Sequence, residues 1–101
     1  MRSQERADSF PEERVAELEA DVLAEVRRIF SAELEREEPV SETHDLLKDL
    51  HVDSMAAIVL AVGLENRFRV KLTEEDTEGV TTVADLVKRV SARVRSAGAA
   101  S

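Results

Sequence analysis

The 101-residue chain has no cysteine, no tryptophan and no tyrosine, and only three phenylalanines, three glycines and two prolines. Without cysteine there can be no disulfide, thiolate metal site or thiol nucleophile. The three glycines are scattered, so no glycine-rich phosphate loop can form. With aromatics at 3%, the core must come from Leu, Val, Ile and Ala, which suits small helices packed together. There is no basic surplus: the net charge is −8, and nucleic acid is not expected as a partner, because a phosphate backbone demands a basic surface. The N-terminal Met1–Asp8 stretch is charged and lacks an apolar segment, so no signal peptide is expected. The longest uncharged apolar run, Met55 to Leu64, is about half of the ~20 residues needed to span a bilayer. These absences predict a cytoplasmic protein that does not insert into membranes, and a monomer is expected.

The length allows one small domain with a modest core. A substrate cavity with a full catalytic set does not fit such a chain easily. Charge is uneven: residues 1–57 hold seven Lys/Arg against sixteen Asp/Glu, a net −9, whereas residues 58–101 come to +1. His44 and His51 are the only histidines and form no helical pair, so no metal site is expected. Nucleophilic catalysis would need Ser54 beside a base held by a third group. His51 lies three residues earlier, yet nothing in the sequence supplies an oxyanion hole. Catalysis by the domain alone is not expected.

Helical signals run along the chain. Residues 1–10 are expected to be a disordered extension, residues 11–95 the folded domain and residues 96–101 a flexible tail. Ser9, Pro11 and Glu12 form a helix start, with Glu12 placed as in a capping box. Val15, Leu18, Val22, Val26, Ile29 and Phe30 then recur at helical spacing, with Leu23 and Leu34 widening the stripe. This predicts a first helix from Pro11 to Glu35. A long polar loop follows, in which Pro39 prevents helical continuation and Leu46, Leu47 and Leu50 supply apolar anchors. A second helix starts at Asp53 or Ser54 and runs to about Phe68. Gly63 within it costs ~1 kcal/mol relative to alanine and hints at a close approach. Thr73–Glu78 can cap and form one turn that Gly79 stops. Thr82, with Asp85 three residues on, caps a last helix from Val83 to about Arg95. The expectation is an all-α bundle of three main helices plus one short helix, with a long loop between the first two.

The segment Asp49-Leu50-His51-Val52-Asp53-Ser54-Met55 sets one hydroxyl between an acidic turn and the most apolar run of the chain. Ser54 can be a helix cap and nothing more. The helix that follows is unusual, because no position from Met55 to Leu64 is charged. A helix apolar all round must be fully buried or must offer a face to a partner. Its expected core face is Ile58, Ala61, Leu64 and Phe68, with Leu60 beside it. Met55, Val59 and Val62 are expected on an outward line.

Asp49-Leu50-x-x-Asp53-Ser54-Met55 resembles the D-L-G-x-D-S-L attachment motif of acyl carrier proteins. The similarity continues in order through Leu64-Glu65-x-x-Phe68, Val70-x-Leu72-x-x-Glu75-Asp76 and Val80-Thr81-Thr82-Val83, and covers roughly residues 20–95. The resemblance implies a four-helix acyl-carrier bundle bearing 4′-phosphopantetheine on Ser54. It implies a phosphopantetheinyl transferase that adds the arm from coenzyme A, with Asp53 helping to bind Mg²⁺ in that complex. Acyl groups would then ride as thioesters between acyl-loading, ketosynthase-type or acyltransferase enzymes of fatty acid, polyketide or related lipid biosynthesis. The arm's thiol would supply the sulfur that the chain lacks, and an exposed hydroxyl at a helix N-terminus suits a phosphodiester.

Several positions depart from that pattern. His51 replaces the usual Gly, Val52 a commonly small residue and Met55 the usual Leu. Carriers of ordinary fatty acid synthesis bear acids along the exposed side of this helix, where this chain has Ala56, Val59, Asn66 and Arg67. The docking residues expected are therefore Asp49, Asp53 and Glu65 together with Met55, Val59 and Val62, and the expected role is a discrete carrier of a specialised pathway. Two alternatives stay open: a carrier of aminoacyl or peptidyl groups, and an unmodified helical adaptor that binds through the apolar face.

Overall fold

A computed structural model describes residues 12–100, with side chains described over 14–97. The expected extension and the predicted capping start at Ser9–Pro11 lie outside the described residues. Four helices follow in order: α1 (Glu12–Ala32), α2 (Ser54–Phe68), α3 (Glu74–Thr77) and α4 (Val83–Ala100). Among the described residues there is no strand, only one isolated antiparallel bridge between Asp45 and Thr82. The all-helical fold with one short helix is the expected one.

α1 packs against α2 and α4, and α3 rests on α4. Val22, Leu23, Val26, Ile29 and Phe30 carry α1 into a single core. Leu60 and Leu64 enter from α2, and Val83, Leu86, Val87 and Val90 from α4. The long connection between α1 and α2 contributes Val40 and Leu50. Its backbone is also tied to the start of α4: Leu46 N donates to Thr81 O (2.9 Å), Val83 N to His44 O (3.0 Å) and Ala84 N to Glu42 O (3.0 Å). The loop is therefore a fixed wall of the bundle, and it delivers the segment before Ser54 to a set place.

Helix ends follow from the shortage of glycine. Among the described residues, three that are not glycine have left-handed backbone: Glu35 (φ 55°), His51 (φ 55°) and Arg69 (φ 60°). Each follows a helical segment, the position where glycine is normally favoured. α1 ends at Ala32, three residues short of the expected Glu35, because Leu34 N turns back to Ile29 O (2.9 Å) and Arg36 N to Phe30 O (2.8 Å), bonds that leave the i→i−4 pattern. α4 runs past the expected end at Arg95 to Ala100. The caps predicted for α3 and α4 are present. Thr73 and Asp76 form a reciprocal capping box on α3. Thr82 Oγ1 accepts from Asp85 N (3.1 Å) while Asp85 accepts from Thr82 N (3.1 Å).

Candidate functional site

The first turn of α2 distinguishes a serine that caps from a serine that is spare. Asp53 is the cap: its backbone is extended (φ −87°, ψ −171°) and its carboxylate accepts from Ala56 N at 2.9 Å. Ala57 N donates to Asp53 O (2.9 Å), closing the first helical turn. Ser54 is the first helical residue, is exposed, and makes no hydrogen bond to any described residue through its hydroxyl. The amides of Ser54 and Met55 likewise have no acceptor among the described residues. A phosphodiester on Ser54 Oγ therefore fits this place: the oxygen is accessible, and free N–H groups at a helix N-terminus favour an anion.

The approach to Ser54 is held rigidly. Residues 45–50 form a helical turn started by Asp45, whose carboxylate accepts from Leu47 N (2.9 Å) and Lys48 N (2.7 Å). Asp49 returns the favour by accepting from Asp45 N at 2.7 Å. Leu50 plugs into the core, 4% exposed. His51 then reverses the chain in a left-handed conformation, and Val52 N closes the turn on Leu46 O (2.8 Å). Arg36, from the far end of the loop, donates from Nη1 to Leu50 O and from Nη2 to His51 O (3.1 Å).

All three acids expected at the docking surface have backbone work of this kind. Asp49 and Asp53 cap turns, and half-buried Glu65 accepts from Leu72 N (2.8 Å), holding the chain that leaves α2. Between Met55 and Val62 the positions that α2 leaves exposed are all apolar. Met55 is 69% exposed, Ile58 60% and Val62 48%. This corrects the expected register. Ile58 is not core, and Val59 is half-buried and packed against the core instead of lying on the outward line. The buried positions are Ala56, Leu60 and Leu64, spaced by four. The physical reason is Gly63, where an added Cβ would lie 2.6 Å from Ile29 Cδ1. That contact fixes the side of α2 facing α1, and Val59, one turn earlier, shares it. Gly63 and its i−4 neighbour were the sequence signal that could have given this register.

Two clefts flank α2. One, of about 760 Å³, runs between α1 and α2 with Ile58, Val59 and Val62 on its walls and Arg28 and Arg67 at its edge. Glu25 is buried there (7% exposed) and pairs with Arg28 at 2.7 Å and with Arg67 at 3.9 Å. Sequence periodicity alone did not single out Glu25. The other cleft, of about 470 Å³, lies on the α3 side and is lined largely by apolar groups, among them Leu46, Val52, Ala57, Leu60 and Leu72. Among the described residues, no group of three or more His, Asp or Glu side chains could hold a metal ion. No helix described is long and apolar enough to cross a membrane.

Comparison with known proteins covers most of the helical domain. The family model described as a phosphopantetheine attachment site matches residues 24–90. The chain is 33% identical over 81 residues to acyl carrier protein 3 of Ralstonia nicotianae, an alignment covering 77% of this chain and 91% of that protein. It is 32% identical over 76 residues to an acyl carrier protein of Phenylobacterium zucineum, covering 74% and 96% of the two chains. An acyl carrier protein of Rhodococcus erythropolis is 33% identical over 75 residues, covering 72% and 81%.

Proposed function

This chain belongs to the acyl carrier protein family, non-catalytic carriers with a covalent 4′-phosphopantetheine, and from that premise we propose that Ser54 is the attachment residue. One observation carries the assignment. Asp53 does the capping at the start of α2, so the Ser54 hydroxyl is exposed and unengaged where a cap would be tied down. When bound, the arm supplies a terminal thiol for thioester chemistry. The chain's own task is to present Ser54 to a phosphopantetheinyl transferase and then to offer a surface to acyl-loading, ketosynthase-type or acyltransferase enzymes.

The surface available for that purpose is the exposed line Met55, Ile58 and Val62. Its apolar character supports partners that bury hydrocarbon at the interface, as in a specialised pathway of polyketide or modified-lipid synthesis. Asp49 and Asp53 border it near Ser54, where Asp53 can also help bind Mg²⁺ in the transferase complex. Val59 and Glu65 contribute from the side and from the far end. The apolar cleft of about 470 Å³ beside the first turn of α2 is suited to shield part of an acyl chain, since covering hydrocarbon from water is favourable.

The test is direct. The chain is incubated with coenzyme A, Mg²⁺ and a promiscuous phosphopantetheinyl transferase, and its intact mass is measured. One added phosphopantetheine that is absent in Ser54→Ala is the expected result. An unchanged mass for folded protein with a competent transferase overturns the assignment.

A further inference from the structure

We propose that Arg36 is a positioning residue for the modification of Ser54, acting through the left-handed turn at His51; the proposal rests on the assignment of Ser54 as attachment residue. Four observations converge on it. His51 has φ 55°, a conformation that any residue with a Cβ adopts only at a cost. The turn stands three residues before Ser54 and immediately precedes Val52 and the capping Asp53, so its direction sets where the start of α2 points. The Arg36 guanidinium spans the carbonyls on both sides of the reversal, Leu50 O and His51 O. The same guanidinium lies over the ring of Phe30, 5.9 Å from its centroid, and Phe30 is 1% exposed. The side chain is thus anchored on a buried ring of α1 while it holds the carbonyls of the attachment turn. Arg36 N donates to Phe30 O (2.8 Å), which fixes the root of the side chain as well.

The physical role follows. A histidine released from such a clamp has reason to leave the left-handed region, carrying Asp53 and Ser54 with it. Only the fraction of molecules with the turn in place is then competent for the transferase, and the apparent affinity falls by that fraction. Chemistry in the bound complex is untouched. A glycine at position 51 has no such penalty and stays in the turn without help. Arg36 and His51 therefore act as a pair in which the clamp replaces the conformational freedom of a glycine.

The experiment is a double-mutant cycle on the full-length apo protein with coenzyme A, Mg²⁺ and a promiscuous phosphopantetheinyl transferase, following holo formation by intact mass. Arg36→Ala is expected to raise KM for the carrier about fivefold with kcat unchanged, the factor that ~1 kcal/mol represents at room temperature. In the His51→Gly background the same substitution is expected to change KM less than about twofold, because the turn no longer costs what the clamp offsets. Arg36→Lys, which keeps a cationic donor but not the fork, is expected to fall between, and it carries the test if Arg36→Ala does not fold. Backbone chemical shifts of residue 51 should move when Arg36→Ala is made in the parent chain and stay in place when it is made in the His51→Gly background. An unchanged KM for folded Arg36→Ala overturns the proposal. An equal loss in both backgrounds also overturns it, since Arg36 would then act without the turn. If the unsubstituted chain gains no phosphopantetheine, the attachment assignment itself falls, and this proposal with it. Modification of the parent at full rate together with an indifferent Arg36 sinks the positioning role alone.

Discussion

α2 and α4 are helices of similar length, 15 and 18 residues, and they use their apolar residues differently. α4 sorts them: Val83, Leu86, Val87 and Val90 are buried, while Lys88 and Arg89 are exposed. Its arginines also serve the fold, with Arg93 pairing with Asp76 (3.1 Å) and Arg89 donating to the carbonyls of Glu75 and Asp76 (3.0 and 3.1 Å). α2 buries Ala56, Leu60 and Leu64, yet it still carries Met55, Ile58 and Val62 into solvent. A helix whose apolar content exceeds what the core takes up has a surplus available for a partner. α4 is spent on stability, and α2 is divided between stability and recognition.

That division can be broken at several points. The largest effect is all-or-none: Ser54→Ala should abolish phosphopantetheine incorporation, measured by intact mass, while the thermal unfolding midpoint stays within about 2 °C of the parent, since an exposed, unbonded hydroxyl is removed. Next, Leu64→Ala on α2 and Val90→Ala on α4 should both destabilise, by ~2–4 and ~1–3 kcal/mol in chemical denaturation, because both side chains are fully buried. If Leu64→Ala were neutral, α2 would not share the core and the comparison would fail. Gly63→Ala should destabilise by ~1–3 kcal/mol despite the better helix propensity of alanine, because its Cβ meets Ile29 Cδ1. The two neighbours Ile58 and Val59 then separate the faces. Val59→Glu should cost ~1–3 kcal/mol by placing a carboxylate against the core, in a groove where Arg28 and Arg67 already pair with Glu25. Ile58→Glu should change stability by less than about 0.5 kcal/mol and weaken binding to a cognate acyl-transfer enzyme. The reverse order would return the outward line to Val59.

The smallest effect concerns acid. Asp76 is held below the usual carboxylate range chiefly by the Thr73 amide, with Arg93 adding to it. Asp85 is lowered by the Thr82 and Thr81 amides. A carboxylate with a depressed folded pKa binds fewer protons folded than unfolded, so its stabilisation is present above the unfolded value of about 3.9 and is lost as pH falls through the folded one. Hydrogen exchange of α3 and of the first turn of α4 should therefore loosen below about pH 4 ahead of the α1–α2 contact. Asp76→Asn should flatten that dependence; an unaltered acid limb in this variant would exclude Asp76 as its source.

Much of this was legible in the residues. The α1 and α4 stripes, the boxes at Thr73 and Thr82, and the stop at Gly79 are local matters of spacing and capping, and each appears where the pattern placed it. The capping role of Asp53 was legible as one of two choices, since aspartate and serine both favour that position. The register of α2 was not legible from apolar spacing, because no position from Met55 to Leu64 is charged, and only Gly63 marked the side that faces α1. The ends of α1 and α4 were missed for a related reason, since helix ends depend on which carbonyls find donors and not on residue preference alone.

The sequence by itself determined a helical carrier domain, its order of elements and the singular serine at the acidic-to-apolar boundary. Spacing, caps and an ordered set of motifs act over a few residues, and one-dimensional information is enough for them. Only the tertiary structure decided that Asp53 caps and leaves Ser54 free, that Ile58 and not Val59 faces outward, and that Arg36 reaches across the loop to the turn at His51. The choice of Asp53 over Ser54 rests on the local contact with Ala56 N, which residue preference alone leaves open, and the other two depend on groups brought together from distant parts of the chain: Gly63 against Ile29, and Arg36 against the carbonyls of Leu50 and His51. Such contacts are set by where the helices pack, and no local pattern encodes that distance.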